Sequence, residues 1–387
     1  MKVLLVATGI APAMGGAGHY QRQILPPLVT SLIARGCEVT ILLSRNGQVP
    51  HLDARARVLR LPVSRNPGIL RILAEHLYIP VLARHSEATF SLDYLLPLLP
   101  VGGRRTVVTV HDVLPLQQKL AGYPVEANAL RHRYYCLAIE HALKAADTVI
   151  TDSRYVASTI ADLFPHAAKR TSVIPLGIDH DRFRPLEARE SIRKVCEAYE
   201  LPREFYLFVG RLCLNKNLRI IAEAYASGCV ANRLKLPVVV VGADRGGSED
   251  NPTLKRIERL GVGEYFHLVG YLPDTDLPAV YGAAKALIHP AWHEGFGFPP
   301  LEAMACGTPV VASNQTAIPE VVGDAAVLVD PGSPQSLARA LECVNDPKRR
   351  SEMIDRGIQR AARFSWQRTA EMTAAAVCGQ GGNASVA

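Results

Sequence analysis

With 387 residues, 48% of them hydrophobic and 20% charged, the chain exceeds the size at which single cores stop growing and holds material for two globular cores. No apolar run reaches the ~18–20 residues that span a bilayer, so the sequence reads as a soluble or peripheral protein. The formal net charge of +7 is unevenly placed. Residues 1–175 hold about 19 Lys and Arg against about 11 Asp and Glu, roughly +8, and the remainder is close to neutral. Such a half suits anionic lipid headgroups or a phosphate-bearing acceptor, or is a solvated basic surface. Nucleic acid is excluded as a partner, because the arginines are dispersed among apolar residues and no recognised motif is present.

Lys2, the apolar run Val3–Ile10 and Ala11-Pro12-Ala13 mimic a signal peptide, but Gly15-Gly16-Ala17-Gly18 leads straight into a helical pattern. A buried first strand ending in a Gly-rich turn is the better reading. Short β-branched runs then alternate with helical patterns, the mark of parallel sheets flanked by helices. The first half predicts strands at Val3–Ala7, Val39–Leu43, Thr106–Val110, Thr148–Thr151 and Ser172–Ile174, and helices at Tyr20–Ala34, Ile69–Ala83, Ala127–Lys144 and Arg154–Leu163. The second half predicts strands at Tyr206–Val209, Val238–Val241, Phe266–Leu268, Ala286–His289, Pro309–Ala312 and Ala326–Val329. The eight cysteines are scattered without C-x-x-C or metal-ligand spacing, which fits reduced thiols in a cytoplasmic protein.

Regular structure breaks at Ile174-Pro175-Leu176-Gly177-Ile178-Asp179. The fold class is therefore α/β: two doubly wound, Rossmann-like domains facing a central cleft. They span 1–175 and 176–363, with a C-terminal helix over 364–378 and a Gly-rich, disordered tail over 379–387. Ligands of such domains sit outside the carboxyl ends of the strands, so the loops there are where chemistry is expected.

The most informative loop runs from His293 to Pro309. Pro299-Pro300 are placed to open a helix, which sets Glu302 on its first turns and Glu294 in the loop before it. The amides of Gly295, Phe296 and Gly297 lie near the positive end of that helix, an arrangement suited to hydroxyls and phosphates. Arg211 and Lys216 follow the strand Tyr206–Val209, where paired cations would stabilise a departing diphosphate. Gly270-Tyr271 follow another strand end and read either as a base pocket or as packing. His111, at the end of Thr106–Val110, is either a ligand contact or a hydrogen-bonded structural residue. Gly16 is either a point of close backbone approach or a turn glycine. Asp112 reads as an orienting or capping residue.

Glu294 and Glu302, with the glycines between them, resemble the E-x7-E motif of family 4 retaining glycosyltransferases, which have the GT-B fold. Gly210-Arg211 through Lys216-Asn217 resemble that family's G-R-x-x-x-x-K-N segment, and Ile174–Asp179 its interdomain linker. Gly15–Gly18 resemble its N-terminal glycine loop, His111-Asp112 the pair found in mannosyltransferase-like members, and Phe364-Ser365-Trp366 the start of the C-terminal crossover helix. The resemblance covers nearly the whole chain. It implies a donor-binding C-terminal domain and an acceptor-binding N-terminal one. Arg211 and Lys216 are implied to hold the donor diphosphate, Glu302 the ribose hydroxyls, and Glu294 with the amides of Gly295–Gly297 the sugar hydroxyls. Gly16 would approach the diphosphate, and His111 would touch the transferred sugar.

The expected reaction moves a hexosyl unit, mannose from GDP-mannose being the best match, onto a lipid-linked saccharide or growing surface polysaccharide. UDP-glucose, UDP-galactose and GDP-deoxyhexoses stay open as donors. No second carboxylate beyond Asp112 and Glu126 lies between His111 and the helix near Ala127, which fits retention without a conventional base. No cofactor is expected, and metal independence is, since Asp274-Thr275-Asp276 precedes a helix and reads as capping. Rival readings are a sugar-nucleotide 2-epimerase of the same architecture, a non-catalytic nucleotide-sugar or lipid-binding protein, and a nicotinamide oxidoreductase. The last requires G-x-G-x-x-G after the first strand, and Gly9, Gly15, Gly16 and Gly18 have the wrong spacing. The helix Ile69–Ala83, flanked by Arg65, Arg71 and Arg84, reads as core-facing or as a bilayer contact at the inner face of the cytoplasmic membrane.

Overall fold

The computed structural model describes residues 1–10, 16–63, 68–94, 96–98, 105–121, 129–242 and 251–380. Gly15, Arg65, Glu126 and the tail from 381 onward lie outside them. Two compact units emerge: Met1–Gly177 together with Ser365–Ala387, and Ile178–Phe364.

The first unit contains β1 (Lys2–Ala7), α1 (Gly16–Ala34), β2 (Glu38–Leu43), β3 (Arg57–Arg60), α2 (Gly68–Ala83) and β4 (Ala88–Ser91). It continues with β5 (Arg105–Val110), α3 (Leu114–Ala121), α4 (Ala129–Ala145), β6 (Thr148–Thr151), α5 (Arg154–Leu163), α6 (Pro165–Ala168) and β7 (Thr171–Val173). Its seven strands pair in the order β3-β2-β1-β4-β5-β6-β7, every pair parallel. The sequence reading missed two of them. β3 is a short, largely exposed edge strand with Arg at both ends. β4 has only Thr89 as a β-branched residue; its place beside β1, not its propensity, makes it a strand.

The second unit contains α7 (Arg189–Ala198), β8 (Tyr206–Val209), α8 (Leu218–Ala226), β9 (Val238–Val241), α9 (Pro252–Arg259) and β10 (Phe266–Gly270). It continues with α10 (Leu277–Ala283), β11 (Ala286–His289), α11 (Phe298–Ala305), β12 (Val310–Ser313), α12 (Ile318–Val322), β13 (Val327–Val329), α13 (Pro334–Asn345) and α14 (Pro347–Ala361). Its parallel order is β10-β9-β8-β11-β12-β13. The central strands β8, β9, β11 and β12 are Val/Leu/Ile/Ala-rich and nearly fully buried, as parallel strands covered by helices on both faces require.

The last helix, α15 (Trp366–Val377), packs against α1 in the first unit. Ser365 caps it by accepting from the Arg368 amide. The chain passes so close that a Cβ on Gly177 would lie 2.1 Å from the Trp366 backbone nitrogen. Only glycine fits there.

In each sheet the chain works outward on one side and then returns next to its first strand. The switch points fall between β1 and β4 and between β8 and β11. Loops leaving two such strands diverge and open a crevice at their carboxyl ends.

Candidate active site

In the second unit, the loop after β8 carries Arg211, Lys216 and Asn217, and the loop after β11 carries Glu294. Asn217 has φ +57, a left-handed conformation that Asn tolerates well. Its buried side-chain amide donates to the carbonyls of Pro290 (3.0 Å) and Pro331 (2.8 Å), and the Trp292 amide donates to the carbonyl of Asn215 (2.8 Å). These bonds tie the two loops together, and Lys216 Nζ ion-pairs with Glu294 Oε1 as a result.

A third group completes the cluster. His289, the last residue of β11, is fully buried and places Nε2 2.9 Å from that same Glu294 oxygen. Burial holds its pKa below the usual 6.5 despite the carboxylate, so the neutral ring donates from Nε2. Among the described residues its buried Nδ1 finds no partner. Burial alone would raise the Glu294 pKa, but Lys216 and His289 outweigh it and hold the carboxyl at about 2. The Glu294 amide donates to Thr316 Oγ1 at 3.1 Å. Thr316 has φ +58, a strained conformation for a β-branched residue and one that clusters at functional sites.

The glycine loop between the two glutamates is also shaped by contacts. Gly297 (φ +114) precedes α11, and a Cβ there would meet Ile318 Cδ1 at 2.6 Å. The Phe296 ring is buried against Phe298 and Phe364. Among the described residues, the amides of Gly295, Phe296 and Gly297 donate to no protein acceptor. Arg211 is exposed and forms no ion pair with another described residue.

Glu302 stands apart from the Lys216–Glu294 pair. It is 8% exposed on α11 and accepts from the Tyr281 hydroxyl at 2.8 Å. Burial raises its pKa from the ordinary 4.5 to about 7, against the lowering effects of Tyr281 and Arg182. Gly270 (φ +83) ends β10 and accepts from the Gly242 amide at 2.8 Å, while Tyr271 beside it is exposed. Capping does not account for Asp276. It stands before α10, yet its carboxylate accepts from Tyr199 and Thr275 and makes no cap bond; Asp274 pairs with Arg182.

In the first unit, His111 follows β5 and directs Nδ1 to Asp152 Oδ2 at 2.7 Å; Asp152 follows β6. Nε2 makes a longer contact, 3.3 Å, to the carbonyl of Leu92 after β4, and the ring stands edge-on to Tyr20 at 4.5 Å. Burial would lower the His111 pKa, but the charge and hydrogen bond of Asp152 lift it to about 9. At neutral pH the ring is therefore an imidazolium with both N–H groups engaged. Asp112 accepts from the Leu114 amide at 2.7 Å, the orienting role expected of it. Gly16 opens α1, is exposed, and has no atom of another described residue within 4 Å of a would-be Cβ, so packing among the described residues does not demand glycine there.

Sequence reasoning brought Lys216 and Glu294 together and quoted Asn217 without giving it a role, but missed His289, Asp152 and Thr316. Asp152 was within reach of the same logic as His111, being the first residue after a strand. His289 was hidden because it closes the apolar run ALIH and reads as part of the strand.

Residues 190–360 match the family described as Glycosyl transferases group 1, and residues 27–182 match Glycosyltransferase Family 4. O-antigen chain mannosyltransferase B of Escherichia coli is 33% identical over 277 residues, covering 71% of this chain and 70% of the relative. The chain belongs to the family 4 glycosyltransferases. The serotype-specific mannosyltransferase WbdA of Escherichia coli is 27% identical over 83% of this glycosyltransferase, which spans only 39% of WbdA's length. The fold is that of the GT-B enzymes. WaaG, a glycosyltransferase involved in lipopolysaccharide biosynthesis, superposes with a TM-score of 0.71 at 18% identity, covering 97% of this chain and all of WaaG.

Proposed function

We propose that this glycosyltransferase moves mannose from GDP-mannose, with retention of configuration, onto a lipid-linked saccharide or growing surface polysaccharide. The observation that carries the proposal is the convergence of Lys216, His289 and Glu294 at the carboxyl ends of the switch-point strands β8 and β11. The mannosyl choice is supported by the names of the Escherichia coli relatives.

The chemistry follows from the charges. An ammonium has three N–H donors, so Lys216 can keep its bond to Glu294 while presenting others to the donor diphosphate. Arg211, on the same loop, adds a second cation. A cation about 4 Å from a phosphate oxygen contributes roughly 4 kcal/mol at an effective dielectric of ~20, before desolvation. That contribution grows as negative charge gathers on the departing nucleotide, which is where it accelerates transfer. Glu294, ionised because Lys216 and His289 hold it so, accepts hydrogen bonds from sugar hydroxyls, and the amides of Gly295, Phe296 and Gly297 donate to them. Glu302 takes the ribose hydroxyls with Tyr281 at its back. In the first unit Gly16 has an exposed backbone, and His111, held charged by Asp152, keeps Nε2 as its more weakly engaged nitrogen. On the retaining path the departing phosphate accepts the acceptor's proton on the same face. No metal enters this scheme, and activity is expected to survive EDTA.

The test is a panel of GDP-mannose, GDP-deoxyhexose, UDP-glucose and UDP-galactose assayed for slow hydrolysis without acceptor. The anomeric configuration of the first product formed is followed by NMR. Turnover of GDP-mannose with the donor's configuration supports the proposal; turnover of UDP sugars alone, an inverted product or a 2-epimer overturns it.

A further inference from the structure

We propose that Arg360 is a positioning residue for sugar transfer, holding the loop Glu294–Gly297 in place through two separate supports, α12 and Phe364. The proposal rests on the reading of that loop as the seat of the sugar hydroxyls. On one side the loop leans on the residues that open α12. The Thr316 hydroxyl accepts from the Glu294 amide at 3.1 Å, and the Ala317 amide donates to the Glu294 carbonyl at 3.4 Å. Ile318, the first residue of α12, closes on Gly297, where a Cβ would lie 2.6 Å from its Cδ1. On the other side the buried Phe296 ring stands edge-on to the Phe364 ring, with centroids 5.9 Å apart.

Arg360, in the last turn of α14, touches both supports. Its Nε donates to the Val321 carbonyl at 2.9 Å and its Nη2 to the Glu320 carbonyl at 2.6 Å. The last four carbonyls of a helix lack partners within it. In α12 the Gly323 amide takes Pro319 and the Ala325 amide takes Val322, so the guanidinium completes the set. The same group lies over the Phe364 ring, 5.2 Å from its centroid. A helix of five residues does not hold its own shape, because nucleation costs more than so few bonds return. The place of α12 therefore depends on what grips its ends, and the grip at the end away from the loop is Arg360. Among the described residues no hydrogen bond or ion pair joins Arg360 to Glu294 or to Gly295–Gly297, so it acts on them through the two supports. Lysine cannot substitute, since a point donor cannot meet two carbonyls in a fork and stack on a ring at once.

The experiment measures hydrolysis of GDP-mannose and calorimetric binding of GDP in the full chain, wild type against Arg360→Met and Arg360→Lys. A loop that seats the sugar and not the nucleotide predicts a split. In Arg360→Met kcat is expected to fall about 10- to 100-fold while GDP affinity stays within about twofold. Arg360→Lys should fall between that variant and wild type. Thr316→Ala acts on the same loop, so Arg360→Met with Thr316→Ala should stay within about threefold of the worse single variant. Phe364→Leu cuts one support and keeps the apolar volume; with a loss of about 2- to 10-fold in kcat it carries the test if Arg360→Met does not fold. If the wild type turns over another donor and not GDP-mannose, the donor assignment fails, and the same split is read with that nucleotide sugar and its nucleoside diphosphate. Wild-type turnover in Arg360→Met, an equal loss of GDP affinity, losses that multiply in the double variant, or unchanged turnover in Phe364→Leu overturns the positioning role.

Discussion

Lys216 and Glu294 stand 78 residues apart in sequence and form an ion pair, and His289 Nε2 reaches the same carboxylate oxygen at 2.9 Å. A mostly buried carboxylate with two donors on one oxygen is held ionised and immobile. The site therefore carries a fixed negative charge beside a fixed cation before any donor arrives. Such preorganisation lowers the reorganisation cost of a reaction that separates charge.

His289 is the positioning group of this cluster. His289→Phe keeps the ring's bulk, removes the Nε2–H bond to Glu294 and also removes the orphaned Nδ1. A hydrogen bond to a charged group contributes about 1.5–3 kcal/mol, so kcat/KM is expected to fall about 10- to 100-fold. Stability should change little, because the loss of a buried unpaired nitrogen offsets the lost bond. Steady-state kinetics and thermal unfolding of the variant check both outcomes together.

Glu302 links stability to function in opposite directions. Burial raises its pKa from 4.5 to about 7, so the folded chain binds a proton that the unfolded chain releases between those values. Its contribution is most favourable below pH 4.5 and declines as pH rises to about 7, leaving a penalty above. Glu302→Gln keeps an acceptor for Tyr281 and removes the titration. The variant is expected to melt higher than wild type at about pH 8 in the absence of donor, and to bind donor about tenfold more weakly. Parallel melting profiles across this pH range would remove the buried-acid account.

The pair His111–Asp152 also loses its contribution as pH rises, but over a higher range. A histidine raised from 6.5 to about 9 contributes stability that is complete below pH 6.5 and lost as pH rises through about 9. Asp152→Asn removes the main lifting charge, so the His111 midpoint should drop toward its ordinary value. NMR titration of the His111 ring reads this directly. A midpoint that does not move in the variant would show that Asp152 is not what holds the charge.

Gly177→Ala is expected to destabilise the first unit by about 3 kcal/mol, the upper range for overpacking, because the clash is with backbone rather than with a flexible side-chain end. The readout is thermal unfolding, with proteolysis reporting release of α15 from α1. Wild-type behaviour in both would mean that the linker passes Trp366 at a greater distance.

The second unit was legible in the sequence nearly strand for strand. β8 and β9 are uninterrupted apolar runs and β11 is one closed by His289, each bounded by polar or Gly-rich loops, as a parallel strand buried on both faces must be. The same strand ends pointed to Lys216 and Glu294. β3 and β4 escaped because edge position and neighbouring strands, not their own residues, define them. The partners that shape the site escaped for a similar reason. Asn217 reaches carbonyls 73 and 114 residues away, and Tyr281 meets Glu302 across two helices, contacts that no local spacing encodes. The exposure of Leu70, Leu73, Leu77 and Val81 on α2 was equally invisible, since an apolar helix reads alike whether one of its faces or both are covered.

The central claim is that Lys216 holds the donor diphosphate beside Glu294. Calorimetric titration of GDP and GDP-mannose into wild type and Lys216→Met tests it without needing the acceptor. The account predicts at least about a 100-fold loss of affinity for both ligands in the variant, as removal of one strong contact to a phosphate implies. Undiminished affinity in a correctly folded Lys216→Met chain would contradict it.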